Sequence, residues 1–224
     1  MALEMNETYQ NIIKFNHENN LKKDDFFVSK SNKHILDLFD TFPKWEKNFL
    51  NIIGEKYSGK THLINIFLSR FKGIEIEAKT LNENHLRNIK INQNIILENL
   101  DKDIDENLLY TLFDMIEHNH KYLIVTSKKP IVDLDFSLND LKSRSKNFLL
   151  HKIEKPDDEL IFAMILKYLS DKQISLDKKL IDFIVKRIDR SYGKIFDFLY
   201  KIDEISLKKK KAIDIKIIKE VLGE

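Results

Sequence analysis

The chain has 224 residues, which is enough for one large domain or for one domain followed by a small second one. It contains no cysteine, which excludes a disulfide scaffold, a cysteine-based zinc site, an iron–sulfur cluster and a thiol nucleophile. Charged residues make up 33% and apolar residues 42%, with a net charge of +2, which is typical of a globular protein and unlike a nucleic-acid coat protein. No apolar stretch reaches the ~18–20 residues that cross a bilayer, and the first residues lack a secretory pattern, so we expect a cytoplasmic protein without membrane contact.

Short apolar runs alternate with helical patterns along the first two thirds of the chain. Residues 1–30 are polar and irregular, and a helical pattern then begins at Ser31 and ends before Pro43. Buried strands are predicted at residues 49–53, 74–78, 95–100, 122–126 and, more weakly, 148–151, and helices at residues 60–71 and 104–118. This alternation predicts an α/β domain with a mostly parallel five-stranded sheet covered on both faces.

After Pro156 the sequence has only helical patterns. We therefore predict a domain boundary near Lys155, with a flexible segment at residues 1–22, an α/β domain at 23–155 and a small helical lid domain at 156–224. The four lid helices are predicted at residues 157–169, 177–188, 191–205 and 214–222. The lysine run at residues 208–211 is then predicted to be a solvated loop between the last two helices.

Residues 54–61 (GEKYSGKT) match the phosphate-loop pattern G-x-x-x-x-G-K-[ST] and lie between a predicted strand and a predicted helix. Gly54 and Gly59 allow the backbone N–H groups to approach phosphates, and the helix N-terminus adds partial positive charge. Lys60 is suited to the β- and γ-phosphates, and the Thr61 hydroxyl to a magnesium ion. The alternative is a glycine-rich turn that contains a lysine by chance.

A phosphate-loop protein also needs an acid at the end of a neighbouring strand, to hold the magnesium shell. Glu98 ends the predicted strand at residues 95–100 and is the candidate, although it could simply terminate that strand. Asn99 follows, where many ATPases place a carboxylate that polarises water. Since an amide cannot take a proton at neutral pH, we predict nucleotide binding with slow or absent hydrolysis.

Several further segments carry a family resemblance. Residues 24–32 (DDFFVSKSN), 59–63 (GKTHL) and 141–144 (LKSR) are similar to sequence motifs of a single protein family. The other matching segments are residues 122–130 (YLIVTSKKP), 188–190 (IDR) and 217–222 (IIKEVL). Together they resemble the Hda family, in its alphaproteobacterial form, within the DnaA-like branch of the AAA+ P-loop NTPases, over nearly the whole chain.

The resemblance implies a bound adenine nucleotide, ADP or ATP, with Mg²⁺. It places Thr61 and Glu98 at the metal, and it assigns the family's sensor 1 position to Thr126 or Ser127. In the turn that follows this strand, Lys128 replaces the usual aspartate. The nucleotide-binding residues that it implies are Phe27, Val28, Asn32, Gly54, Lys56, Ser58, Gly59, Lys60, Thr61, His62 and Lys194.

One position departs from the family pattern. Gly193 stands where related lids carry the sensor 2 arginine, and Lys194 follows it. Lys194 could reach the phosphates as a point charge rather than as a guanidinium fork. Alternatively, Gly193 could only relieve crowding in its helix.

Arg144 lies at the position of the family's arginine finger. The resemblance implies that this residue projects into the nucleotide site of a neighbouring AAA+ protomer, here DnaA, and acts there as the catalytic group. A guanidinium supplied in trans stabilises charge that develops on the γ-phosphoryl oxygens. The alternative for Arg144 is a surface salt bridge.

Near the N-terminus, Gln10, Ile13 and Phe15 fit the pattern of a sliding-clamp-binding peptide, although a local packing cluster would look similar. The resemblance implies docking on the β subunit of DNA polymerase III, with the amide in one subsite and the apolar side chains in a pocket. DNA is then met only indirectly, through the loaded clamp, where Lys208–Lys211 could touch its phosphates.

These expectations favour a regulator that stimulates ATP hydrolysis by DnaA and so restrains replication initiation. We expect no helix-turn-helix domain after residue 224, which distinguishes the inactivator from the initiator. An autonomous AAA+ ATPase such as a helicase loader, and a non-catalytic clamp adaptor, remain as alternatives. Self-association as a homodimer also stays open.

Overall fold

The computed structural model describes residues 26–224. Within them, five strands form one sheet in the order β2-β3-β4-β1-β5, and every neighbouring pair is parallel. The strands are β1 (Phe49–Ile53), β2 (Ile74–Glu77), β3 (Asn94–Leu100), β4 (Tyr122–Ser127) and β5 (Leu149–Lys152). The prediction of an α/β domain with a five-stranded, mostly parallel sheet is therefore confirmed.

Among residues 26–224, five helices accompany the sheet: α1 (Lys33–Asp40), α2 (Lys60–Arg70), α3 (Glu83–Ile89), α4 (Glu106–His118) and α5 (Asn139–Ser145). The central strands of the sheet are buried on both faces. Along β3, Ile95 and Leu97 pack in a cluster with α4, whereas Ile96 packs in a second cluster with α1 and α2. Continuous apolar strands of this kind are expected where helices cover both faces of a parallel sheet.

Two of these helices, α3 and α5, are absent from the sequence prediction, because each has only seven residues and shows little apolar periodicity. A cap signal could have revealed α3: the Asn82 side chain accepts hydrogen bonds from the N–H groups of Asn84 and His85. For α5 no side-chain cap marks the first turn.

The rest of the chain is helical: α6 (Asp158–Asp171), α7 (Lys178–Val185), α8 (Tyr192–Lys209) and α9 (Ile215–Leu222). These helices share an apolar core of their own, as predicted for a helical lid domain. The lysine run is not wholly a loop, because Lys208 and Lys209 belong to the last turn of α8. They pair with Glu204 at 2.8 Å and Glu220 at 2.7 Å.

The lid packs against the sheet domain on the side of α1 and α2. Leu160 and Tyr192 join the apolar cluster that contains Leu50 and Ile52 of β1. The Tyr192 hydroxyl donates to the Glu154 carbonyl oxygen at 2.9 Å. The lid therefore lies beside the carboxyl end of β1, where the phosphate loop begins. Over residues 26–224, none of the helices combines the length and the apolar character that crossing a membrane requires.

Candidate nucleotide-binding site

The phosphate loop leaves β1 and enters α2 through two residues with positive φ. Gly59 caps the N-terminus of α2 with φ +90°, a conformation that glycine adopts without strain, and Tyr57 has φ +68°. Lys60 Nζ donates to the carbonyl oxygens of Gly54 and Glu55, both at 2.8 Å. Burial lowers the pKa of Lys60, and the opposing charge of Glu98 offsets part of this shift. The structure thus places a desolvated cation across the loop, as a phosphate site requires.

Glu98 and Thr61 meet at the mouth of this loop, with Thr61 Oγ1 donating to Glu98 Oε2 at 3.1 Å. Glu98 is only 4% exposed, and among the described residues its Oε1 atom has no hydrogen-bond partner; the same holds for Ser58 Oγ in the loop itself. Two buried polar atoms without partners fit a site that receives a ligand. A hydroxyl and one carboxylate are the protein ligands typical of nucleotide-bound Mg²⁺, so these residues fit that ion.

Burial raises the pKa of Glu98 to about 7, and the nearby charge of Glu75 adds to the shift, while the hydrogen bond from Thr61 opposes it. The folded state then binds the Glu98 proton more tightly than the unfolded state does. The free energy of unfolding should therefore fall as the pH rises from about 4.5 to 7.

We therefore expect Glu98→Gln to raise the free energy of unfolding by about 3 kcal/mol at pH 8 without nucleotide, and by less than about 1 kcal/mol at pH 5. Urea unfolding at the two pH values measures this. Glu83→Gln, at an exposed position on α3, is the control and should show no such difference. An equal effect of Glu98→Gln at both pH values would contradict the shifted pKa.

Asn99, the residue after Glu98, hydrogen-bonds to the neighbouring strands β2 and β4. Asn99 Nδ2 donates to Glu77 Oε2 at 3.0 Å, and the Asn99 N–H donates to Thr126 Oγ1 at 2.9 Å. Its φ of +57° is a conformation that asparagine tolerates better than most residues. The structure therefore uses Asn99 to join the ends of β2, β3 and β4.

Both sensor 1 candidates, Thr126 and Ser127, are buried, and their side chains bond to different partners. Thr126 accepts the bond from Asn99, while Ser127 Oγ donates to the Lys129 carbonyl oxygen at 2.6 Å. Asn51 Nδ2 in turn donates to Ser127 Oγ at 2.8 Å, and Asn51 Oδ1 accepts from the Ile131 N–H at 2.9 Å. Sequence reasoning missed Asn51, although a lone polar residue inside the apolar strand β1 was a signal.

We expect Asn51→Ala to lower the free energy of unfolding by about 2–3 kcal/mol, because it leaves the buried Ile131 N–H without its acceptor. Chemical denaturation measures the change. Asn88→Ala, at an exposed position at the end of α3, should cost less than about 1 kcal/mol. Equal costs for the two variants would show that the Asn51 network does not stabilise the turn after β4.

The predicted N-terminal box lies beside the phosphate loop. Asn32 is buried and ties the box together: its Oδ1 accepts from the Ser29 N–H and its Nδ2 donates to the Phe27 carbonyl oxygen, both at 3.0 Å. Phe26 packs edge-to-face on His62, whereas the side chains of Phe27 and Val28 are exposed. Lys56 is exposed as well, and its Nζ lies 4.9 Å from the centre of the Tyr57 ring.

A cavity of about 260 Å³ lies between the box, the phosphate loop and the lid. Its walls are largely apolar and aromatic, as is usual for sites that hold a planar ligand. The lining residues from the sheet domain include Phe27, Asn32, Ser58 and Gly59, and those from the lid include Met164, Lys167, Tyr168 and Tyr192. Phe27, Asn32, Ser58 and Gly59 were all predicted to bind nucleotide, so the structure gathers them around one cavity.

Two contacts join the phosphate loop directly to α8 of the lid. The Tyr57 ring stacks on Phe196 with centroids 4.1 Å apart and an interplanar angle of 11°, and Ser191 Oγ donates to Glu55 Oε2 at 2.9 Å. Sequence reasoning missed all four residues, because Glu55 and Tyr57 occupy variable positions of the loop pattern. Their partners follow more than 130 positions later.

Lys194 is not among the residues that line the cavity. Its Nζ lies 2.6 Å from Asp189 Oδ2, and its side chain is 67% exposed. This ion pair raises the pKa of Lys194, through the hydrogen bond first and the charge of Asp189 second. A Cβ atom at Gly193 would meet nothing closer than Ser191 Oγ at 3.9 Å. The crowding interpretation of Gly193 is therefore wrong.

Arg144 lies near the end of α5 and contacts α4. Its guanidinium pairs with Asp114 at 2.8 Å and with Glu117 at 2.5 Å, so the surface salt bridge considered from sequence is present. The arginine finger remains a prediction for the same residue. The predicted clamp-binding residues Gln10, Ile13 and Phe15 lie outside the described residues.

Residues 157–222 match the family model for the lid domain of Hda. The matched residues span the four helices α6 to α9, and in this chain the sheet and the phosphate loop precede them. The lid of this chain is similar to the lid of Hda.

Curated relatives extend the similarity beyond the lid. An uncharacterised protein of Haemophilus influenzae is 24% identical over 78% of this chain and 81% of its own length. The initiator DnaA of a Thermoanaerobacter species is also 24% identical, over 90% of this chain but 51% of the DnaA protein. The chain thus spans about half the length of the DnaA proteins that it matches.

Solved structures show the same fold. Domain III of the Thermotoga maritima replication initiation protein DnaA aligns with a TM-score of 0.70 and 20% identity, over 92% of this chain and 96% of that one. DnaA of Aquifex aeolicus, solved with AMPPCP bound, aligns with a TM-score of 0.64 and 19% identity, over 86% of this chain and 70% of that one.

Proposed function

We propose that this protein regulates the initiation of DNA replication by stimulating ATP hydrolysis in DnaA. In this proposal it binds an adenine nucleotide, docks on the sliding clamp and supplies Arg144 in trans to the nucleotide site of DnaA. The observation that carries the proposal is the match of residues 157–222 to an Hda lid. We take the lid to begin near residue 156, and the cytoplasm to be the place of action.

The protein's own site is proposed to hold nucleotide rather than to turn it over. The backbone of residues 54–60 and the Lys60 ammonium would hold the phosphates, and Thr61 with Glu98 would hold Mg²⁺, which when bound screens the phosphate charge. The cavity lined by Phe27 and Asn32 would take the adenine. We propose either ADP or ATP as the ligand, and the DnaA of Aquifex aeolicus, solved with AMPPCP bound, supports an adenine nucleotide on this fold.

Asn99 is the reason for expecting little turnover. Its amide cannot accept a proton from an attacking water, and in the structure it is turned towards Glu77. Arg144 could then act in a neighbour's site, where its guanidinium would stabilise charge on the transferring phosphoryl group without a proton transfer of its own. Catalysis would thereby be divided between two proteins.

The clamp would bring the two proteins together. Gln10, Ile13 and Phe15 are proposed to bind it as an extended peptide, with the amide hydrogen-bonded and the two apolar side chains in a pocket. In the lysine run, Lys208 and Lys209 already have carboxylate partners, which leaves Lys210 and Lys211 better suited to DNA threaded through the clamp. Such contacts would weaken with salt.

The decisive experiment measures ATP hydrolysis by DnaA with clamp and DNA, in the presence and absence of this protein. We expect stimulation by wild type, and little stimulation by Gln10→Ala except at high protein concentration. No stimulation by wild type would refute the proposal.

An autonomous ATPase is the second candidate, and it is favoured by the hydrogen bond between Thr61 and Glu98, a pair that is suited to Mg²⁺. Turnover by the protein alone, without DnaA or clamp, would favour it. A non-catalytic clamp adaptor is the third, and it predicts clamp binding with no dependence of DnaA hydrolysis on Arg144.

A further inference from the structure

Three side chains of α4, spaced one helical turn apart, hold the guanidinium of Arg144. Tyr110, Asp114 and Glu117 lie on one stripe of that helix, as the i, i+4, i+7 spacing requires. Arg144 Nη2 lies 2.8 Å from Asp114 Oδ1 and Nη1 lies 2.5 Å from Glu117 Oε2. The guanidinium carbon lies 5.0 Å from the centre of the Tyr110 ring, within the range of a cation–π contact. Both ends of the fork are thus already occupied by carboxylate oxygens.

The helix that carries Arg144 is fixed in place. Before its first turn, the carboxylate of Glu106 accepts from the N–H groups of Ser137 and Leu138, both at 2.7 Å. Leu141, in the middle of α5, is completely buried in the core of the sheet domain. Because α5 is held at its start and along its inner face, Arg144 can reach an external anion only by rotating its own side chain away from α4.

We propose that Asp114 and Glu117 keep the guanidinium of Arg144 paired within this protein, and that this pairing sets the protein concentration needed to stimulate DnaA. Both residues act through Arg144 and do not contact the nucleotide themselves. The inference rests on the proposed role of Arg144 in trans. Two carboxylates present the same paired oxygens that a phosphoryl group presents, so they compete with the partner's nucleotide for one fork. Release requires that Arg144 exchange this pair for a more highly charged anion.

The exposure of the cluster makes such exchange feasible. The side chain of Arg144 is 21% exposed, and those of Asp114 and Glu117 are 40% and 50% exposed. Ion pairs in contact with water are weak, whereas a buried pair would resist separation. Asp114 and Glu117 therefore shift the equilibrium of Arg144 towards the paired state, and the unpaired state remains accessible.

The first test is the combined variant Asp114→Asn with Glu117→Gln. The protein concentration that gives half-maximal stimulation of DnaA hydrolysis should fall about threefold to tenfold, the range expected for two exposed ion pairs. The shift should appear in this concentration rather than in the saturated rate. Asp103→Asn with Asp135→Asn removes the same charge at exposed positions outside the cluster and is the matched control.

The second test needs neither DnaA nor clamp. Phenylglyoxal modifies accessible guanidinium groups, and the peptides that contain Arg144 and the exposed Arg87 can be followed separately by mass spectrometry. Relative to Arg87, modification of Arg144 should be about threefold to tenfold faster in the combined variant than in wild type or in the control.

An unchanged or raised half-maximal concentration would overturn the proposal, since a raised value means that the carboxylates orient Arg144 for use. Unchanged reactivity of Arg144 would overturn it as well. If wild type does not stimulate DnaA, the proposed function fails, and the reactivity still decides whether Arg144 is withheld. Thermal unfolding checks the fold, and Glu117→Gln alone, at the more exposed carboxylate, replaces the combined variant if that does not fold.

Discussion

Arg144→Ala is expected to lower the stimulation of DnaA ATP hydrolysis by about 10³-fold or more, which is the range for removal of an arginine finger supplied in trans. The physical reason is that no other group would then stabilise the charge on the transferring phosphoryl oxygens. Single-turnover hydrolysis of DnaA-bound ATP, with clamp and DNA present, measures the effect.

Arg144→Lys separates charge from geometry. An ammonium keeps the charge but cannot bond two oxygens in a plane, so we expect it to recover only a small part of the rate. Arg87→Ala, at an exposed position on α3, is the control and should behave as wild type. Stimulation by Arg144→Ala at the wild-type level would favour the clamp adaptor instead.

The second large effect is expected at Lys60. Lys60→Ala should weaken the binding of ADP and ATP by about 100-fold, because it removes a buried, charged donor that no neighbouring residue replaces at the phosphates. Titration calorimetry, or displacement of a fluorescent nucleotide, measures the dissociation constant. If the lid orientation depends on nucleotide, this variant should lose stimulation of DnaA too.

Lys102→Ala, at an exposed position before α4, is the matched control for Lys60→Ala. Its nucleotide affinity should stay within about twofold of wild type. Both variants should unfold within a few degrees of wild type without nucleotide, since burial already disfavours the charged form of Lys60. Wild-type affinity in Lys60→Ala would contradict the assignment of the phosphate loop.

The sequence predicted those features that are built from consecutive residues. The strand–loop–helix context of residues 54–61 was predicted because a phosphate loop is a continuous segment, and the sheet because each strand is a short apolar run. Glu98 was predicted from its place at the end of such a run, and the structure brings it to Thr61.

Features made by distant residues could not be predicted. The partners of Arg144 lie 27 and 30 positions away on another helix, and nothing in the local sequence marks Asp114 or Glu117 as different from other solvated acids. Lys194 is a second example: a family position suggests a phosphate ligand, and the described side chain pairs with a carboxylate five residues earlier, so the role in nucleotide binding stays a prediction. Side-chain choice among competing partners depends on the folded surroundings.

The contacts of Tyr57 with Phe196 and of Glu55 with Ser191 have a mechanical consequence. The loop that would bind the phosphates and the start of α8 are in contact at two points, so displacing one without the other would break both contacts. Helix α8 runs for 18 residues, about 27 Å, away from that point. Any rotation of the helix about its start would therefore displace its far end, where Lys208 and Lys209 lie, further than its base.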